Sequence, residues 1–419
     1  MQMTSSLDYA KEADKNDPLA SYRSQFYMPP GKTRAEQLYF TGNSLGLQPK
    51  SVESYIQQEL DDWKKYGVEG HFHGKNPWFS YHHFFDKEAK IVGGKKEEVV
   101  VMNNLTVNLH LLLVSFYGPT KSRYKIIMEA GAFPSDMYVI ESQVKHHGYA
   151  YDDAVIELHP REGEHHLRTE DIVQAINDTG DELALLFFSG VQYYTGQAFD
   201  IKTLTAAAHD VGAIAGFDCA HAAGNVKMEL HDWDVDFAAW CTYKYLNSSP
   251  GGVSGIFVHE KHGNNSETPR FAGWWGHKES ERFQMKKGYI PEPGAAGWQL
   301  SNAPVLAMAA HKASLDMFDE VGMDALVEKG GRLNAFLEQV VKDAQLSNTK
   351  LEFEIITPEE RGCQLSMLTN ENGKALFDFL TENDVIADWR EPNVIRLAPV
   401  PMYNSFMDIW EFGELLRKF

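Results

Sequence analysis

The sequence contains little cysteine, no long apolar run and fewer basic than acidic side chains. Three cysteines in 419 residues are too few and too scattered for a disulfide framework or a cysteine-rich zinc site. No apolar stretch approaches the roughly 20 residues that a membrane-spanning helix needs. A net charge of −20 repels nucleic acid and anionic membrane surfaces. These absences argue against a secreted, membrane-embedded or nucleic-acid-binding protein, and they are ordinary for a soluble cytosolic enzyme without indicating its substrate.

The composition suits a folded protein with more than one core. Hydrophobic residues make up 43% and aromatic residues 12% of the chain, which is ample for a packed interior. A chain of 419 residues is too long for one simple core and suggests two domains, or one large α/β domain with an appendage. The first residues lack a basic segment followed by an apolar one, so we expect no signal peptide and a cytoplasmic location.

Strand and helix patterns alternate through the first half of the chain. Short apolar, β-branched runs predict strands at 99–102, 125–128, 155–158 and 183–188, and helical patterns predict helices at 106–116, 134–147, 169–176 and 201–211. Such alternation is typical of an α/β fold with a mostly parallel sheet flanked by helices.

The pattern changes near residue 301, which suggests a second folding unit. A helical pattern from 304 to about 343 is interrupted at Gly322, and strands follow at 351–356, 363–369 and 394–397, with helices at 374–380 and at the end of the chain. We therefore expect a large α/β domain at 71–300 and a smaller α+β domain at 301–419. Residues 1–70 are expected to form an arm and a helix (50–65) that pack with the smaller domain.

Asp218 and Lys244 each stand at or near the end of a short apolar run, at 213–221 and 237–244. A carboxylate and an amine at the ends of neighbouring strands are the pair that pyridoxal phosphate chemistry requires. The amine forms a Schiff base with the aldehyde, and the carboxylate keeps the pyridine nitrogen protonated, so that the ring can accept electrons. The simpler alternative is two strands that end in a solvated aspartate and a surface lysine.

Two predicted strand-to-helix junctions, at 103–108 and 133–136, are candidate anion sites. Exposed N–H groups and the helix dipole favour an anion there, and Thr106 adds a hydroxyl group. Ser135 and Asp136 could cap the second helix, while Phe133 offers a flat face to a heteroaromatic ring. Each junction alone could be a plain helix cap, but two on neighbouring strands favour a phosphorylated ligand.

Three further residues follow predicted strands in positions where a ligand could contact them. Ser189 opens a loop, 189–196, with two glycines that suit a close approach of the backbone. His221 lies on the loop after Asp218 and could stack on a cofactor or sense its ionisation. Tyr243 precedes the lysine and could relay a proton or bind phosphate. A glycine-rich loop at 248–255 would let the chain turn around the lysine. The alternatives are that 189–196 is a simple turn and that His221 is a structural histidine.

Five segments of the chain resemble kynureninase: TGNSLG at 41–46, DCAHAAGN at 218–225, WCTYKYLN at 240–247, RGCQLS at 361–366 and IRLAPVPMYNS at 395–405. The resemblance extends from about residue 38 to the end of the sequence. It implies a fold-type I pyridoxal phosphate enzyme, with the aspartate-aminotransferase-like architecture, that works as a homodimer. It also implies cleavage of kynurenine to anthranilate and alanine, or of 3-hydroxykynurenine to 3-hydroxyanthranilate and alanine.

The resemblance also implies a role for each matched residue. Lys244, Tyr243 and Asp218 would be catalytic, with Lys244 on the cofactor aldehyde and Asp218 on the ring nitrogen. Arg396 would bind the substrate α-carboxylate, since a guanidinium group matches a carboxylate bidentately. The other implied cofactor contacts are Leu105, Thr106, Phe133, Pro134, Ser135, Asp136, Ser189, His221, Trp274 and Asn302. The other implied substrate contacts are Ser44, His71 and Asn302. Trp274 and Asn302 would close the site in part from the partner subunit, giving composite active sites.

Three other functions share some of these features. A cysteine desulfurase would share fold and cofactor but needs a reactive cysteine on a mobile loop, whereas Cys219, Cys241 and Cys363 lie in apolar segments. A non-catalytic module with the same fold would not need the Lys–Asp pair. A metal hydrolase built on the histidines at 71, 73, 82 and 83 has no accompanying acidic motif, so we expect no metal site. The preferred substrate ring stays open, as does the physiological role among tryptophan catabolism, NAD synthesis and anthranilate supply.

Overall fold

A computed structural model describes residues 3–419. Its strands are β1 (Leu38–Tyr39), β2 (Val99–Met102), β3 (Lys125–Glu129), β4 (Val155–Leu158), β5 (Leu183–Ser189), β6 (Ile214–Asp218), β7 (Phe237–Cys241), β8 (Ser254–Val258), β9 (Phe353–Ile355), β10 (Leu365–Thr369), β11 (Val385–Ile386), β12 (Asp388–Arg390) and β13 (Val394–Leu397).

Helices lie between and around these strands. They are α1 (Leu7–Lys15), α2 (Val52–Tyr66), α3 (Glu88–Val92), α4 (Leu105–Phe116), α5 (Pro134–His146), α6 (Tyr151–Ala154), α7 (Thr169–Thr179), α8 (Ile201–Asp210), α9 (Glu260–Gly263), α10 (Glu279–Arg282), α11 (Val305–Val321), α12 (Met323–Ser347), α13 (Gly373–Glu382) and α14 (Phe406–Leu416). None of the helices described in residues 3–419 is long and apolar enough to cross a membrane.

The larger sheet has seven strands in the order β2-β8-β7-β6-β5-β3-β4. Strands β3 to β7 run parallel to their neighbours within that group, and β8 runs antiparallel to both β7 and β2. The predicted mostly parallel sheet is therefore confirmed. The sequence interpretation missed β8, because its first two residues fell in the glycine-rich segment expected to be a loop. Position 255 of that strand requires glycine, because any side chain there would collide with the indole of Trp240 on β7.

The central strands are apolar on both faces because helices cover both sides of the sheet. Every residue of β7 is buried, and so is every residue of β5 except Ser189. One face packs Phe217 and Trp240 into a core, and the other face packs Phe187 and Phe237 into a second core. This arrangement is the α/β layering expected from the sequence pattern. It leaves the ends of the strands as the places where polar side chains collect.

The C-terminal segment forms a second, four-stranded antiparallel sheet in the order β12-β13-β10-β9. The helical pattern predicted from 304 is confirmed as α11 and α12, which are separated at Gly322 with φ of 79°. The N-terminal arm joins this part of the molecule, since β1 pairs with β11 and α1 packs on α14. The boundaries at 70 and 300 stay a prediction.

Candidate active site

Polar side chains collect where three adjacent parallel strands end. Glu129 ends β3, Ser189 ends β5 and Asp218 ends β6, while Lys244 follows the end of β7. They open into a cavity of about 410 Å³. Its walls are formed by Asn104, Leu105, Thr106, Glu129, Phe133, Ser135, Asp136, Ser189, Val191, Tyr193, Asp218, Ala220, His221, Tyr243, Lys244 and Gly251. Ten residues predicted from the sequence therefore lie around one cavity: Leu105, Thr106, Phe133, Ser135, Asp136, Ser189, Asp218, His221, Tyr243 and Lys244.

Two helices begin at this cavity. Leu105 and Thr106 lie in the first turn of α4, and Pro134 and Ser135 lie in the first turn of α5. The hydroxyl oxygens of Thr106 and Ser135 are 3.4 Å apart. Both helices therefore direct free backbone N–H groups and hydroxyl donors toward one place, which is the arrangement that binds a phosphate group. Pro134 itself does not line the cavity but occupies the position where its missing N–H costs nothing.

Three buried carboxylates face the single lysine of the cavity. Asp218 is only 3% exposed and accepts a hydrogen bond from the backbone N–H of Ala220 at 2.7 Å. Burial raises the pKa of Asp218, and burial together with the charge of Asp218 raises that of Asp136 well above its usual range. Burial likewise raises the pKa of Glu129 to about 7. A cationic group in the cavity would relieve this excess of negative charge.

The ring of Phe133 and the amine of Lys244 bound the same space. The Lys244 Nζ atom lies 5.7 Å from the centre of the Phe133 ring, and Lys244 is 9% exposed. The Phe133 ring is partly exposed to the cavity, so one of its faces is available to a planar ligand. A flat ring bound there would lie between an amine and a carboxylate.

His221 and Tyr243 are held in their uncharged forms. Burial, and then the positive charges of Lys244, Arg396 and Arg390, lower the pKa of His221 well below its usual range. Burial, and then Cys241, raise the pKa of Tyr243 far above its usual range. The Nδ1 atom of His221 is buried without a hydrogen-bond partner among the described residues. The cavity therefore offers a neutral imidazole and a protonated phenol.

Arg396 lies on β13 behind the wall of the cavity. It is 1% exposed, its Nη1 donates to the carbonyl of Tyr193 at 2.5 Å, and it forms an ion pair with Asp388. Burial lowers the pKa of Arg396 to about 10, and its Nε has no hydrogen-bond partner among the described residues. Tyr193 lines the cavity, so one side chain separates the guanidinium group from it.

Besides Pro134 and Arg396, four more predicted site residues do not line this cavity. Ser44 and Asn302 are exposed on the surface of the chain. The ring of His71 stacks on Phe79 with centres 4.3 Å apart. Trp274 is 39% exposed, and its indole N–H donates to the carbonyl of Arg282 at 3.3 Å.

The sequence interpretation missed several residues that line the cavity. Glu129 is the most informative, because a carboxylate directly after the apolar run 126–128 is the same signal that identified Asp218. The other missed residues are Asn104, Val191, Tyr193, Ala220 and Gly251, most of which lie in loops already expected near a ligand. The tertiary fold brings these residues to the cavity, so no local sequence pattern could assign them to it.

Comparison with known proteins relates the whole chain to one family. The chain is 54% identical to the kynureninase of Flavobacterium psychrophilum, over 100% of this chain and 99% of that protein. It is 47% identical to the kynureninase of Nematostella vectensis, over 98% of this chain and 93% of that protein. A family model described as "Kynureninase C-terminal domain" matches residues 326–416. The chain belongs to the kynureninase family.

Solved structures place this kynureninase family member in a wider fold group. A C-DES mutant with glycine covalently linked to its PLP cofactor superposes with a TM-score of 0.77 at 14% identity, covering 95% of this chain and 99% of that one. The cysteine desulfurase from Thermococcus onnurineus superposes with a TM-score of 0.73 at 17% identity, covering 100% and 98%. These similarities establish the fold-type I architecture that the sequence resemblance implied.

Two groups of side chains outside the cavity are close enough to share a cation. His82 and His83 approach Glu279, and Glu98 approaches His231 and His259. The carboxylate near His82 and His83 comes from α10, so no local sequence motif could reveal it. Neither group lines the cavity between Asp218 and Lys244.

The lysine loop rests on the N-terminal segment through Gly46. The Gly46 N–H donates to the carbonyl of Tyr243 at 2.8 Å, and a side chain at 46 would collide with the backbone of Lys244 and with Asn247. Gly46→Ala should therefore displace the loop and lower the free energy of unfolding by about 1–3 kcal/mol, measured by chemical denaturation. Gly118→Ala is the matched control, because nothing lies within 4 Å of a side chain there. Equal stability of the two variants would contradict this role of Gly46.

Proposed function

We propose that this protein hydrolyses the Cβ–Cγ bond of L-kynurenine, of 3-hydroxykynurenine or of both, and releases the aryl acid and L-alanine. It is a pyridoxal phosphate-dependent hydrolase that acts on carbon–carbon bonds. The observation that carries the proposal is the cavity in which Lys244 and Asp218 meet, in a chain about half identical to kynureninases along its full length. A cytoplasmic location is part of the proposal, because three buried free cysteines suit a reducing compartment.

The residues around the cavity fit pyridoxal phosphate. The amine of Lys244 suits the aldehyde, the buried carboxylate of Asp218 suits a protonated ring nitrogen, and the ring of Phe133 offers a stacking face. The first turns of α4 and α5, with Thr106 and Ser135, suit the phosphate. When bound, the cofactor supplies an electron sink that stabilises negative charge on the substrate.

Lys244 and Tyr243 are the residues proposed to move protons. With substrate bound, the amine of Lys244 would remove the proton from the substrate α-carbon. Burial keeps the phenol of Tyr243 protonated, so Tyr243 can donate a proton during cleavage of the Cβ–Cγ bond. The buried carboxylate of Asp218 would stabilise the positive charge on the ring nitrogen of the bound cofactor.

A cysteine desulfurase reaction is the weaker alternative. Such enzymes share this fold, but at 14–17% identity the likeness extends to the fold alone. Cys219, Cys241 and Cys363 are all buried, and burial raises the pKa of each thiol, so none is poised as a nucleophile. None of the three lines the cavity.

The reaction is tested by following anthranilate and 3-hydroxyanthranilate release side by side. The purified protein loaded with pyridoxal phosphate should release at least one of them, together with an equal amount of alanine. Lys244→Ala should abolish turnover, because it removes the amine that binds the cofactor and accepts the proton. Lys374→Ala, a change in an exposed pair with Asp378, is the matched control and should leave turnover unchanged. Full activity of Lys244→Ala would contradict the assignment.

Arg396 is the residue proposed to bind the substrate α-carboxylate. Its guanidinium group is buried behind Tyr193, and its Nε has no hydrogen-bond partner among the described residues. Arg396→Lys should lower kcat/KM by about a hundredfold, equivalent to about 3 kcal/mol, because the ammonium group cannot form the paired hydrogen bonds. The matched control is Arg390→Lys, which changes the more exposed arginine that also lies over Tyr193. If Arg390→Lys lowers kcat/KM by about a hundredfold and Arg396→Lys does not, the substrate α-carboxylate is assigned to Arg390 instead.

We also propose that the enzyme is a homodimer whose active sites are completed by the partner subunit. His71, Phe72, Phe79, Trp274 and Phe283 form an aromatic patch, with neighbouring ring centres 4.3–5.5 Å apart. Phe72 and Phe283 in this patch are more than half exposed, which favours an interface. The patch includes His71 and Trp274, which the family resemblance assigns to the active site but which do not line the cavity of their own subunit. The patch therefore suits contact with the cavity of a second copy.

Subunit mixing tests the shared site. Lys244→Ala chains and Trp274→Ala chains should each be inactive, but their mixture should recover about one quarter of wild-type activity once the subunits have exchanged. The recovery is expected because one site of each heterodimer carries neither lesion. Exchange is followed with two affinity tags, and each variant incubated alone is the control. Confirmed exchange without recovered activity would exclude the composite site.

A further inference from the structure

Glu129 is a buried carboxylate of the cavity that the reaction described above does not use. It is 3% exposed and lies at the end of β3. Its hydrogen bonds run to Ser189 on β5 rather than to a basic side chain. The backbone N–H of Ser189 donates to Oε2 at 3.1 Å and to Oε1 at 3.3 Å, and the Ser189 hydroxyl donates to Oε1 at 2.5 Å.

These contacts fix what Ser189 can offer to a ligand. A serine has one hydroxyl proton and one backbone N–H, and both are directed at Glu129. The hydroxyl oxygen keeps only its lone pairs, so on the cavity side it can accept a hydrogen bond but not donate one. Ser189 also pairs in register with Asp218 on β6, and the next amide, of Gly190, donates to the Asp218 carbonyl at 2.7 Å. Glu129 therefore holds the end of β5, directly beside Asp218 at the end of β6.

We propose that Glu129 is a positioning residue of the cofactor site, which holds the Ser189 hydroxyl as an oriented acceptor facing the bound cofactor. The proposal rests on the proposed function, because it takes pyridoxal phosphate as the ligand of the cavity. Glu129 does not touch the reacting atoms and acts only through Ser189. An ionised carboxylate is required for this role, because a protonated one would offer its own hydroxyl group to Ser189 and accept less well.

The charged groups around Glu129 make its ionisation sensitive to pH near neutrality. Asp218 faces it from β6, Asp136 from α5 and Lys244 from the loop after β7, and His165 and His166 line an adjacent hollow that shares Glu129. Burial, opposed by the bonds from Ser189 and assisted by the charge of Asp218, raises the pKa of Glu129 to about 7. The oriented acceptor is therefore present above pH 7 and is lost as the pH falls below it.

Cofactor binding to the apoenzyme tests the proposal without measuring turnover. Protein fluorescence is titrated with pyridoxal phosphate at pH 8 for the wild type and for Glu129→Gln, which keeps the shape but turns one acceptor into a donor. The variant should bind about tenfold more weakly, the scale of one charge-assisted hydrogen bond. Glu157→Gln is the matched control, one strand away on β4 and bonded to Tyr151 outside the cavity, and should bind as the wild type does. Wild-type affinity in Glu129→Gln would overturn the proposal.

A double-mutant cycle separates action through Ser189 from a direct effect. Ser189→Ala should weaken binding by itself, and adding Glu129→Gln to it should weaken binding little further, because both changes remove the same acceptor. Independent, multiplicative losses would show that Glu129 does not act through Ser189 and would overturn the proposal. If the wild type itself fails to bind pyridoxal phosphate, the proposed function fails instead, so the two failures are distinguishable.

Thermal melting of the apoenzyme gives a second readout. The folded protein raises the pKa of Glu129 above the ordinary value of 4.5. Between pH 4.5 and about 7 the folded state keeps the proton that the unfolded state loses, so the free energy of unfolding of the wild type falls as the pH rises through that range. Glu129→Gln has no such group, so its Tm relative to the wild type should increase across that window and level off above it. A Tm difference that does not change with pH would overturn the pH dependence assigned to Glu129.

Discussion

The burial of three carboxylates around one lysine is the constraint on which the rest of this molecule depends. Glu129, Asp136 and Asp218 have little access to water, and among residues 3–419 Lys244 is the only lysine that lines their cavity. Buried, unbalanced negative charge is costly, so the carboxylates favour a ligand with a protonated ring nitrogen. The N-termini of α4 and α5 favour an anionic phosphate on the same ligand. These buried carboxylates and helix N-termini are the features that a pyridoxal phosphate enzyme of the kynureninase family needs.

The fold meets this constraint by distributing the charged residues over rigid elements. Glu129, Ser189 and Asp218 end adjacent parallel strands whose central residues are buried in two cores, so their positions are fixed by packing on both faces of the sheet. Lys244 lies on a loop instead, and the N-terminal segment at Gly46 supports that loop. Arg396 reaches the cavity wall from the second sheet, through the carbonyl of Tyr193. Three parts of the chain therefore converge on one site.

Local sequence patterns predicted the parts of this arrangement that depend on local structure. Asp218 and Lys244 could be found because each stands at the end of an apolar run, and the junctions at Thr106 and Ser135 because a strand gives way to a helix. Strand β8 was missed because Gly255, which makes room for Trp240 of the neighbouring strand, reads as part of a loop. The stacking of His71 on Phe79 and the exposure of Trp274 depend on tertiary structure, and the roles proposed for these two residues require a second subunit, which no local pattern encodes.

The most direct test of the account is to identify the lysine that binds the cofactor. The protein is incubated with pyridoxal phosphate and reduced with borohydride, and its peptides are analysed by mass spectrometry. The account predicts one dominant adduct, on the peptide that contains Lys244, because that amine alone faces the buried carboxylates of the cavity. An adduct on a different lysine, or a reduced protein that carries none, would contradict the central claim that the end of β7 supplies the catalytic amine.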